Sequence, residues 1–212
     1  MRFRNRAEAG ERLAAALVER VREPAIVLGI PRGGVIVAAT VARRLGAPLD
    51  VVVPRKIGAP GNPELAVGAV AEGVEAVDHQ ALRRLGFDAS AVRGEIARQT
   101  MEVARRTAAY RAGRPPLDLA GRTAVLVDDG IATGWTAVAA ARWCRHQGAG
   151  RVVVAVPVGP PDLEQRLGSE VDDVVVLERP DPYLAVGQAY VRFEQVSDEQ
   201  VLAFLRGVDG PE

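Results

Sequence analysis

The stretch of sequence that decides the fold runs from residue 125 to residue 136 and reads Val-Leu-Val-Asp-Asp-Gly-Ile-Ala-Thr-Gly-Trp-Thr. It begins with an apolar run that is long enough for a β-strand. Two adjacent carboxylate residues, Asp128 and Asp129, follow that run. A short loop of small and hydroxyl residues follows, and then the Ala-rich helical pattern of residues 137–147. A buried strand, a loop and a helix in this order predict one unit of an α/β fold.

The loop of this stretch has the chemistry of a phosphate site. Backbone N–H groups at a helix N-terminus favour an anion, and Gly134 lets a phosphate approach the main chain. Thr133 and Thr136 add hydroxyl donors. Asp128 and Asp129 suit sugar hydroxyls or a hydrated Mg²⁺ instead. A phosphorylated ribose fits both halves, and the alternative is an acidic strand end before an ordinary helix cap.

This arrangement resembles the 5-phosphoribosyl-1-pyrophosphate (PRPP) signature of the type I phosphoribosyltransferases. In that family four apolar residues precede two acidic residues and a Thr/Gly-rich loop. The resemblance implies that Asp128 and Asp129 meet the ribose 2- and 3-hydroxyls and, through them or through water, a Mg²⁺ cofactor. It assigns the 5-phosphate to the loop residues Ala132, Thr133, Gly134, Trp135 and Thr136.

A second glycine-containing segment, residues 29–35, follows the first predicted strand and opens a helix. Its Gly33 and Gly34 N–H groups and the Arg32 guanidinium can bind a second anion. Alone, Pro-Arg-Gly-Gly is also an ordinary turn. Because the resembling family holds pyrophosphate at this chain position, the resemblance makes this segment the pyrophosphate loop.

Lys56 is the only lysine among the 27 Lys and Arg residues of the chain. It follows the second predicted strand, where the resembling family often places basic residues that face the pyrophosphate. A compact ammonium can follow a leaving pyrophosphate in a way that a planar guanidinium cannot. We therefore predict a catalytic role beside Arg32, and the alternative is a surface lysine without a function.

Strands and helices alternate along the rest of the chain. Asn5 is predicted to cap a first helix over residues 6–21. The other predicted helices cover residues 35–45 and 162–167, and the predicted strands cover residues 25–29, 49–53, 152–156 and 174–177. The prediction is an α/β fold with a parallel sheet flanked by helices, of the type I phosphoribosyltransferase kind, with a small hood and a helical insertion. One domain is expected over residues 1–212.

Residues 54–118 are predicted to form a lid and insertion. Residues 57–64 are rich in turn formers and read as too polar to be buried. They suit a mobile loop that closes over the site with Glu64 in it or at its base, or equally a hairpin. Residues 91–111 form a helical pattern with many arginines, which indicates either a solvated basic helix or part of a hood or oligomer contact.

The segment at residues 178–195 is predicted to be the hood. Its Pro-Asp-Pro-Tyr sequence at residues 180–183 resembles the hood of the 6-oxopurine phosphoribosyltransferases. The resemblance makes Tyr183 a stacking platform for a base and places the main chain near Asp181 at the base edge; otherwise Tyr183 covers the core. Two features depart from that subfamily: Ala132 stands where its loop Asp handles the purine proton, and the region after Val156 lacks its lysine.

Composition limits the function classes. The formal net charge is zero, which argues against a nucleic-acid or membrane partner. No apolar run is long enough to span a bilayer and the start lacks the hydrophobic region of a signal peptide, so we expect a cytoplasmic protein. Cys144, the only cysteine, is expected to be a buried thiol.

Together with these residues, the resemblance to the type I phosphoribosyltransferases implies a Mg²⁺-dependent transferase. It would move the 5-phosphoribosyl group of PRPP to an unidentified nitrogen acceptor, expected to be a nucleobase, and release pyrophosphate. A non-catalytic regulator that binds PRPP or a nucleotide, and a hydrolase, are the alternatives. A homo-oligomer is possible.

Overall fold

The structure is a computed structural model and describes residues 2–21 and 24–207. Its strands are β1 (Ala25–Gly29), β2 (Leu49–Val51), β3 (Arg55–Ala59), β4 (Asn62–Ala71), β5 (Val74–Val77), β6 (Thr123–Val127), β7 (Arg151–Val158) and β8 (Asp173–Glu178). Its α-helices are α1 (Arg6–Leu17), α2 (Gly33–Leu45), α3 (His79–Arg84), α4 (Arg93–Arg111), α5 (Trp135–His146), α6 (Leu163–Leu167) and α7 (Asp198–Leu205).

Five strands form a parallel sheet in the order β2-β1-β6-β7-β8. In register, Gly29 at the end of β1 lies opposite Val51 on one side and Val127 on the other. The carboxyl ends of β1, β2 and β6 therefore meet at one edge, which is where an open α/β sheet binds ligands. This sheet confirms the predicted fold class.

The parallel sheet is buried on both faces, which explains its continuous apolar strands. Alternate residues such as Val27, Val125 and Val153 pack with α1 and α2. The residues between them, such as Leu28 and Leu126, pack with α5 on the other face. The period of two in a strand sends neighbouring side chains into opposite layers.

Two elements are shorter than predicted. Helix α1 is capped by Asn5, whose side chain accepts the Glu8 N–H as predicted, but it ends at Leu17 rather than at residue 21. Strand β2 ends at Val51 rather than at residue 53. Pro54 has no N–H to continue a ladder, and the chain enters β3 at the next residue.

Residues 55–77 form a separate antiparallel sheet in the order β3-β4-β5. The turn between β3 and β4 contains Gly61, whose φ of +75° suits glycine. The hairpin predicted for residues 57–64 is confirmed, and the closing lid stays a prediction. The expectation that this segment is too polar to be buried is wrong at Ile57 and Ala59, which face the core under α4.

Helix α4 covers this second sheet. Val103 packs into the cluster beneath it, whereas Arg98 and Arg105 point to solvent. The prediction of a solvated basic helix is therefore confirmed for the outer face of α4. It is wrong at Arg111, whose side chain is buried. Arg111 Nη1 lies 3.0 Å from Glu72 Oε2 and ties the end of α4 to the second sheet.

Within residues 2–21 and 24–207, no helix is long and apolar enough to cross a membrane.

Candidate active site at the carboxyl edge of the parallel sheet

The predicted PRPP and pyrophosphate segments meet at the carboxyl ends of β1 and β6. Ile30 N–H donates to the Val127 carbonyl, 2.9 Å away, so the two strand ends stay joined as they leave the sheet. Asp128 and Asp129 follow β6 directly, and Gly33 and Gly34 open α2. Two segments far apart in sequence thus face each other, as the parallel pairing of their strands requires.

Gly33 and Gly34 are required by this close approach. A Cβ at Gly33 would lie 1.9 Å from Asp129 Oδ2, and one at Gly34 would lie 2.8 Å from Asp128 Oδ1. No larger residue fits at either position without displacing a carboxylate. Arg32 lies before them as the exposed N-cap residue of α2, and the Pro31–Arg32 peptide bond is cis.

The predicted phosphate loop has the expected shape. Gly134 is the N-cap of α5 with a φ of +92°, a left-handed conformation that favours glycine. Ala132 and Thr133 are exposed, Trp135 is half-buried and Thr136 lies beside it in the first turn of α5. Ala132 and Thr133 therefore lie open to solvent directly before the N-terminus of α5, whereas Gly134 itself is buried. The assignment of the 5-phosphate to this loop stays a prediction.

Two side chains fix the loop from outside. Arg166 Nη1 donates to the Ala132 carbonyl at 2.9 Å. The Tyr183 hydroxyl donates to the Ile131 carbonyl at 2.7 Å. Because these bonds use loop carbonyls, they leave the N–H groups of the loop for a ligand.

In each of the two carboxylates, one oxygen accepts a hydrogen bond from the protein. Asp128 Oδ1 accepts the Asp129 N–H at 2.8 Å, and Asp129 Oδ2 accepts Arg6 Nε at 2.8 Å. Burial, and then the charge of Asp129, raise the pKa of Asp128 well above its usual value. The pair therefore favours a cation or hydroxyl donors beside it.

Arg6 is a site residue that the sequence analysis missed. Its guanidinium lies 4.0 Å from the centre of the Phe193 ring, and its Nη1 donates to the Glu194 carbonyl at 2.9 Å. Tyr190 from the same segment donates its hydroxyl to the Asp129 carbonyl at 2.6 Å. These contacts place α1 and residues 190–194 against the carboxylate pair.

The start of the chain pairs with the segment that carries these groups. Phe3 N–H donates to the Ala189 carbonyl at 2.7 Å, and Val191 N–H donates to the Phe3 carbonyl at 2.8 Å. This pairing brings Arg6 to the site. No local pattern in residues 2–6 signals a partner so far along the chain, so sequence inspection alone had no signal to find Arg6.

Lys56 lies in β3 rather than directly at the end of a parallel strand. Its Nζ is 3.0 Å from Glu64 Oε2 across the β3–β4 hairpin, and both side chains are exposed. The structure thus places Lys56 on the hairpin and not against the carboxylate pair. Its predicted role in pyrophosphate release remains a prediction.

The hood segment lies beside the phosphate loop. The Tyr183 ring is half-buried against the cluster that contains Val158 and Tyr190. Burial, followed by the Asp129 and Asp128 charges, raises the pKa of Tyr183 to about 12. In this arrangement Tyr183 covers the core and anchors the loop. Asp181 and Leu184, in contrast, are exposed on either side of it.

The carboxylates at this edge of the sheet suit a Mg²⁺ ion that is bound partly by water and by substrate. Within the part of the chain that the structure describes, no three His, Cys, Asp or Glu side chains cluster as a metal cage. Mg²⁺ commonly binds through one or two carboxylates, with water and substrate phosphates completing its shell. Asp128 and Asp129 fit that pattern.

Comparison with known proteins shows the family to which the chain belongs. A provisionally named phosphoribosyl transferase of Mycobacterium tuberculosis (strain CDC 1551 / Oshkosh) is 48% identical over 96% of this chain and 46% of its own length, so the chain spans about half of that relative. The crystal structure of TT1426 from Thermus thermophilus is 48% identical with a TM-score of 0.83, over 99% of this chain and 100% of that one.

A more distant structure, the AQ2163 protein from Aquifex aeolicus, shares the fold at 13% identity and a TM-score of 0.52, over 81% of this chain and 73% of that chain. The family model described as the phosphoribosyl transferase domain matches residues 2–191, which include both glycine loops, the carboxylate pair and the segment around Tyr183. The chain belongs to the phosphoribosyl transferase domain family.

Proposed function

We propose that this protein binds Mg²⁺·PRPP at the carboxyl edge of the parallel sheet and transfers its 5-phosphoribosyl group to a nitrogen acceptor. One observation carries the proposal. The Gly33-Gly34 turn lies directly against Asp128 and Asp129, and the open end of α5 follows shortly after them in the chain. A pyrophosphate loop, a pair of hydroxyl acceptors and a phosphate loop would then surround one ribose, as PRPP requires.

Different residues of the chain would bind the different groups of PRPP. The N–H groups of the 132–136 loop would hold the 5-phosphate. The carboxylates of Asp128 and Asp129 would accept from the ribose hydroxyls through the oxygens that Asp129 N–H and Arg6 do not use. Arg32 and the Gly33 and Gly34 N–H groups would hold the pyrophosphate.

In the transfer, the bond from ribose C1 to the pyrophosphate oxygen breaks and its electron pair leaves with pyrophosphate. The lone pair of the acceptor nitrogen forms the new bond to C1, and the nitrogen loses its proton to solvent. A bound Mg²⁺ would supply positive charge to the departing pyrophosphate. Arg32 would add a fixed charge, and its effect is largest in the transition state.

The β3–β4 hairpin would act as the lid. Its tip holds Gly61 and Glu64 and projects from the second sheet with Lys56 at its base. An exposed ion pair such as Lys56–Glu64 contributes only about 0–1 kcal/mol, so exchanging Glu64 for pyrophosphate costs little. Lid closure would exclude water from the reacting ribose.

The acceptor would bind between the hood and the carboxylate pair. Asp181 and Leu184 are exposed there, and Leu184 N–H already donates to Gln188 Oε1 at 2.7 Å, which fixes the loop. We propose a nucleobase as the acceptor. Stacking on Tyr183 would require its ring to face the ligand while its hydroxyl keeps its bond to Ile131.

One observation favours a second candidate function, a protein that binds PRPP or a nucleotide without transferring it. The side chain at position 132 is the methyl group of alanine, so it offers no group to receive an acceptor proton. Transfer would then depend on acceptors that release their proton to water.

The deciding experiment incubates the protein with PRPP, Mg²⁺ and a panel of purine and pyrimidine bases, and separates the products by chromatography. A nucleoside monophosphate with matching pyrophosphate supports the transferase. PRPP binding without turnover on every base supports the binding protein. Ribose 5-phosphate and pyrophosphate formed in the absence of a base would identify a hydrolase and overturn the proposed transfer.

A further inference from the structure

A groove lies along the side of α4, where α4 packs on β3. It encloses a volume of about 320 Å³. Its lining consists of Arg55 from β3 and of five residues from α4: Arg98, Gln99, Met101, Glu102 and Arg105. None of these residues belongs to the carboxyl edge of the parallel sheet.

Arg55 is the fixed cation of this groove. It is half-buried, and its Nε donates to Gln99 Oε1 at 3.2 Å. Among the described residues, no carboxylate oxygen lies within 4.0 Å of its guanidinium. Gln99 is itself buried and donates its Nε2 to Glu95 Oε1 at 2.8 Å, which fixes the direction of its oxygen. Arg55 is therefore held in place by a neutral partner.

The helix adds two more guanidinium groups that face the same groove. Arg98 and Arg105 are seven residues apart, which puts them on one face of α4 and about 10 Å apart along its axis. Their side chains are 67% and 62% exposed, so solvent and ligands reach them. Their partners Glu95 and Glu102 are three residues away on the same helix, and each arginine donates to its partner through Nε and Nη2. A bound anion would use the guanidinium N–H groups that these bonds leave.

Positive charge exceeds negative charge around the groove. Glu102 is shared between Arg105 and Arg106, which lie 2.8 and 2.6 Å from its oxygens, so its one charge is divided between two cations. Burial, and then the charge of Arg106, lower the pKa of Arg55 from its usual value; the charge of Glu102 opposes this shift, and Arg98 adds to it. A guanidinium that feels neighbouring guanidinium groups favours a bound anion.

We propose that this groove is a second binding site for a ligand with a diphosphate group, held by Arg55, Arg98 and Arg105. Guanidinium groups bind phosphoryl oxygens in pairs, and three of them around one cavity suit more than one phosphoryl group. Met101, which is 68% exposed, offers an apolar surface beside them for the base of a nucleotide.

The groove lies on the face of β3 opposite to Lys56. Arg55 and Lys56 are neighbours in an extended strand, so their side chains leave it on opposite sides. A ligand on Arg55 would thus not occupy the space in which Lys56 would act on PRPP. The proposed groove does not depend on the transferase activity, and its test separates the two.

The test measures calorimetric binding of ADP and of inorganic pyrophosphate to the full chain in the presence of saturating PRPP and Mg²⁺, so that the pyrophosphate loop of the proposed transferase site is already occupied. Arg98→Gln with Arg105→Gln should weaken binding of both probes at least tenfold. Arg83→Gln with Arg84→Gln removes the same charge from two exposed positions on α3 and should change binding less than twofold. Tighter binding of ADP than of pyrophosphate would assign a nucleotide that uses Met101, and equal binding would assign the free anion.

A parallel titration with PRPP and Mg²⁺ keeps the two proposals apart. The Arg98 and Arg105 double variant should bind PRPP as the wild type does. The proposed groove is overturned if this variant binds ADP and pyrophosphate as tightly as the α3 variant does. It is also overturned if Asp128→Asn with Asp129→Asn, rather than the α4 variant, removes ADP binding.

Discussion

Two arginine–carboxylate clusters of this molecule contrast in how they are built. At the carboxyl edge of the parallel sheet, Arg6 and Asp129 lie 123 residues apart in sequence, and their side chains are only 11% and 14% exposed. On α4, Glu102 meets Arg105 and Arg106 three and four residues away, and these side chains are more exposed, at 27% for Glu102, 62% for Arg105 and 24% for Arg106. The first cluster ties distant chain segments together, whereas the second lies on a single helix.

The contrast shows that an arginine–carboxylate pair contributes differently to the free energy of unfolding in a buried and in an exposed position. A buried pair leaves an uncompensated charge when one partner is removed, and that costs several kcal/mol. An exposed pair is screened by water, and its loss costs little. The predictions below test this difference from the largest expected change in stability to the smallest.

Arg6→Ala should cause the largest loss. It leaves the Asp129 carboxylate without its cation and removes the stacking on Phe193, so we expect the free energy of unfolding to fall by about 3 kcal/mol. Arg44→Ala is the control, because its pair with Glu11 is about half exposed and should contribute less than about 1 kcal/mol. Urea denaturation measures both. Equal losses in the two variants would contradict the contrast.

Gly134→Ala should cost less. At a φ of +92° an L-residue is strained, and we expect a loss of about 1–2 kcal/mol. Gly94→Ala tests the same exchange in α4, where an added Cβ meets no atom within 4 Å. There we expect a gain of about 0.5–1 kcal/mol, since alanine favours a helix. Thermal unfolding of both variants checks this, and a Gly134→Ala protein as stable as the wild type would refute the role of its φ.

These two regions also show how far the sequence predicts the site. The strand, carboxylate pair, loop and helix of residues 123–146 are consecutive, so a local pattern predicts them. The pairs on α4 follow helical spacing and are equally local. Arg6 is not predictable in this way, because only the pairing of Phe3 with residues 189–191 brings it to Asp129.

The exposure predicted for residues 57–64 and for Arg111 was wrong for a related reason. Turn formers at residues 57–64 indicate a bend but not which side chains it buries, and Ile57 is buried only because α4 packs on β3. Arg111 likewise looks like one more surface arginine in a basic helix. Its burial depends on Glu72, 39 residues earlier in the chain.

Glu102→Gln should have a small effect that depends on pH. Hydrogen bonds from Arg105 and Arg106 lower the pKa of Glu102 to about 2. The unfolded chain then binds more protons than the folded chain between about pH 4.5 and pH 2, so the stabilisation is present above pH 4.5 and is lost as the pH falls through that window. At pH 7 the variant should lose less than about 1 kcal/mol.

Denaturation series of wild type and Glu102→Gln at several pH values measure this effect. The difference between the two proteins should shrink as the pH falls towards about 2. A difference that stays constant from neutral pH into that acidic range would show that the charge of Glu102 contributes nothing.

Lys56→Ala should change stability least and turnover most. The exposed pair with Glu64 contributes little to folding, so the melting temperature should stay within about 2 °C of the wild type. If Lys56 holds the departing pyrophosphate, kcat should fall far more than PRPP affinity does. Lys56→Arg should rescue it only in part. Steady-state kinetics with an accepted base decides, and wild-type turnover in Lys56→Ala would reduce this lysine to a surface charge.

The most direct test of the account is calorimetric binding of PRPP with Mg²⁺ to Asp128→Asn with Asp129→Asn. Each lost charge-assisted hydrogen bond should cost about 1.5–3 kcal/mol, so affinity should fall at least about tenfold. Glu11→Gln with Glu19→Gln removes the same charge at two exposed positions and should bind as the wild type does. An unchanged PRPP affinity in a folded Asp128 and Asp129 double variant would contradict the assignment of the ribose to this edge of the sheet.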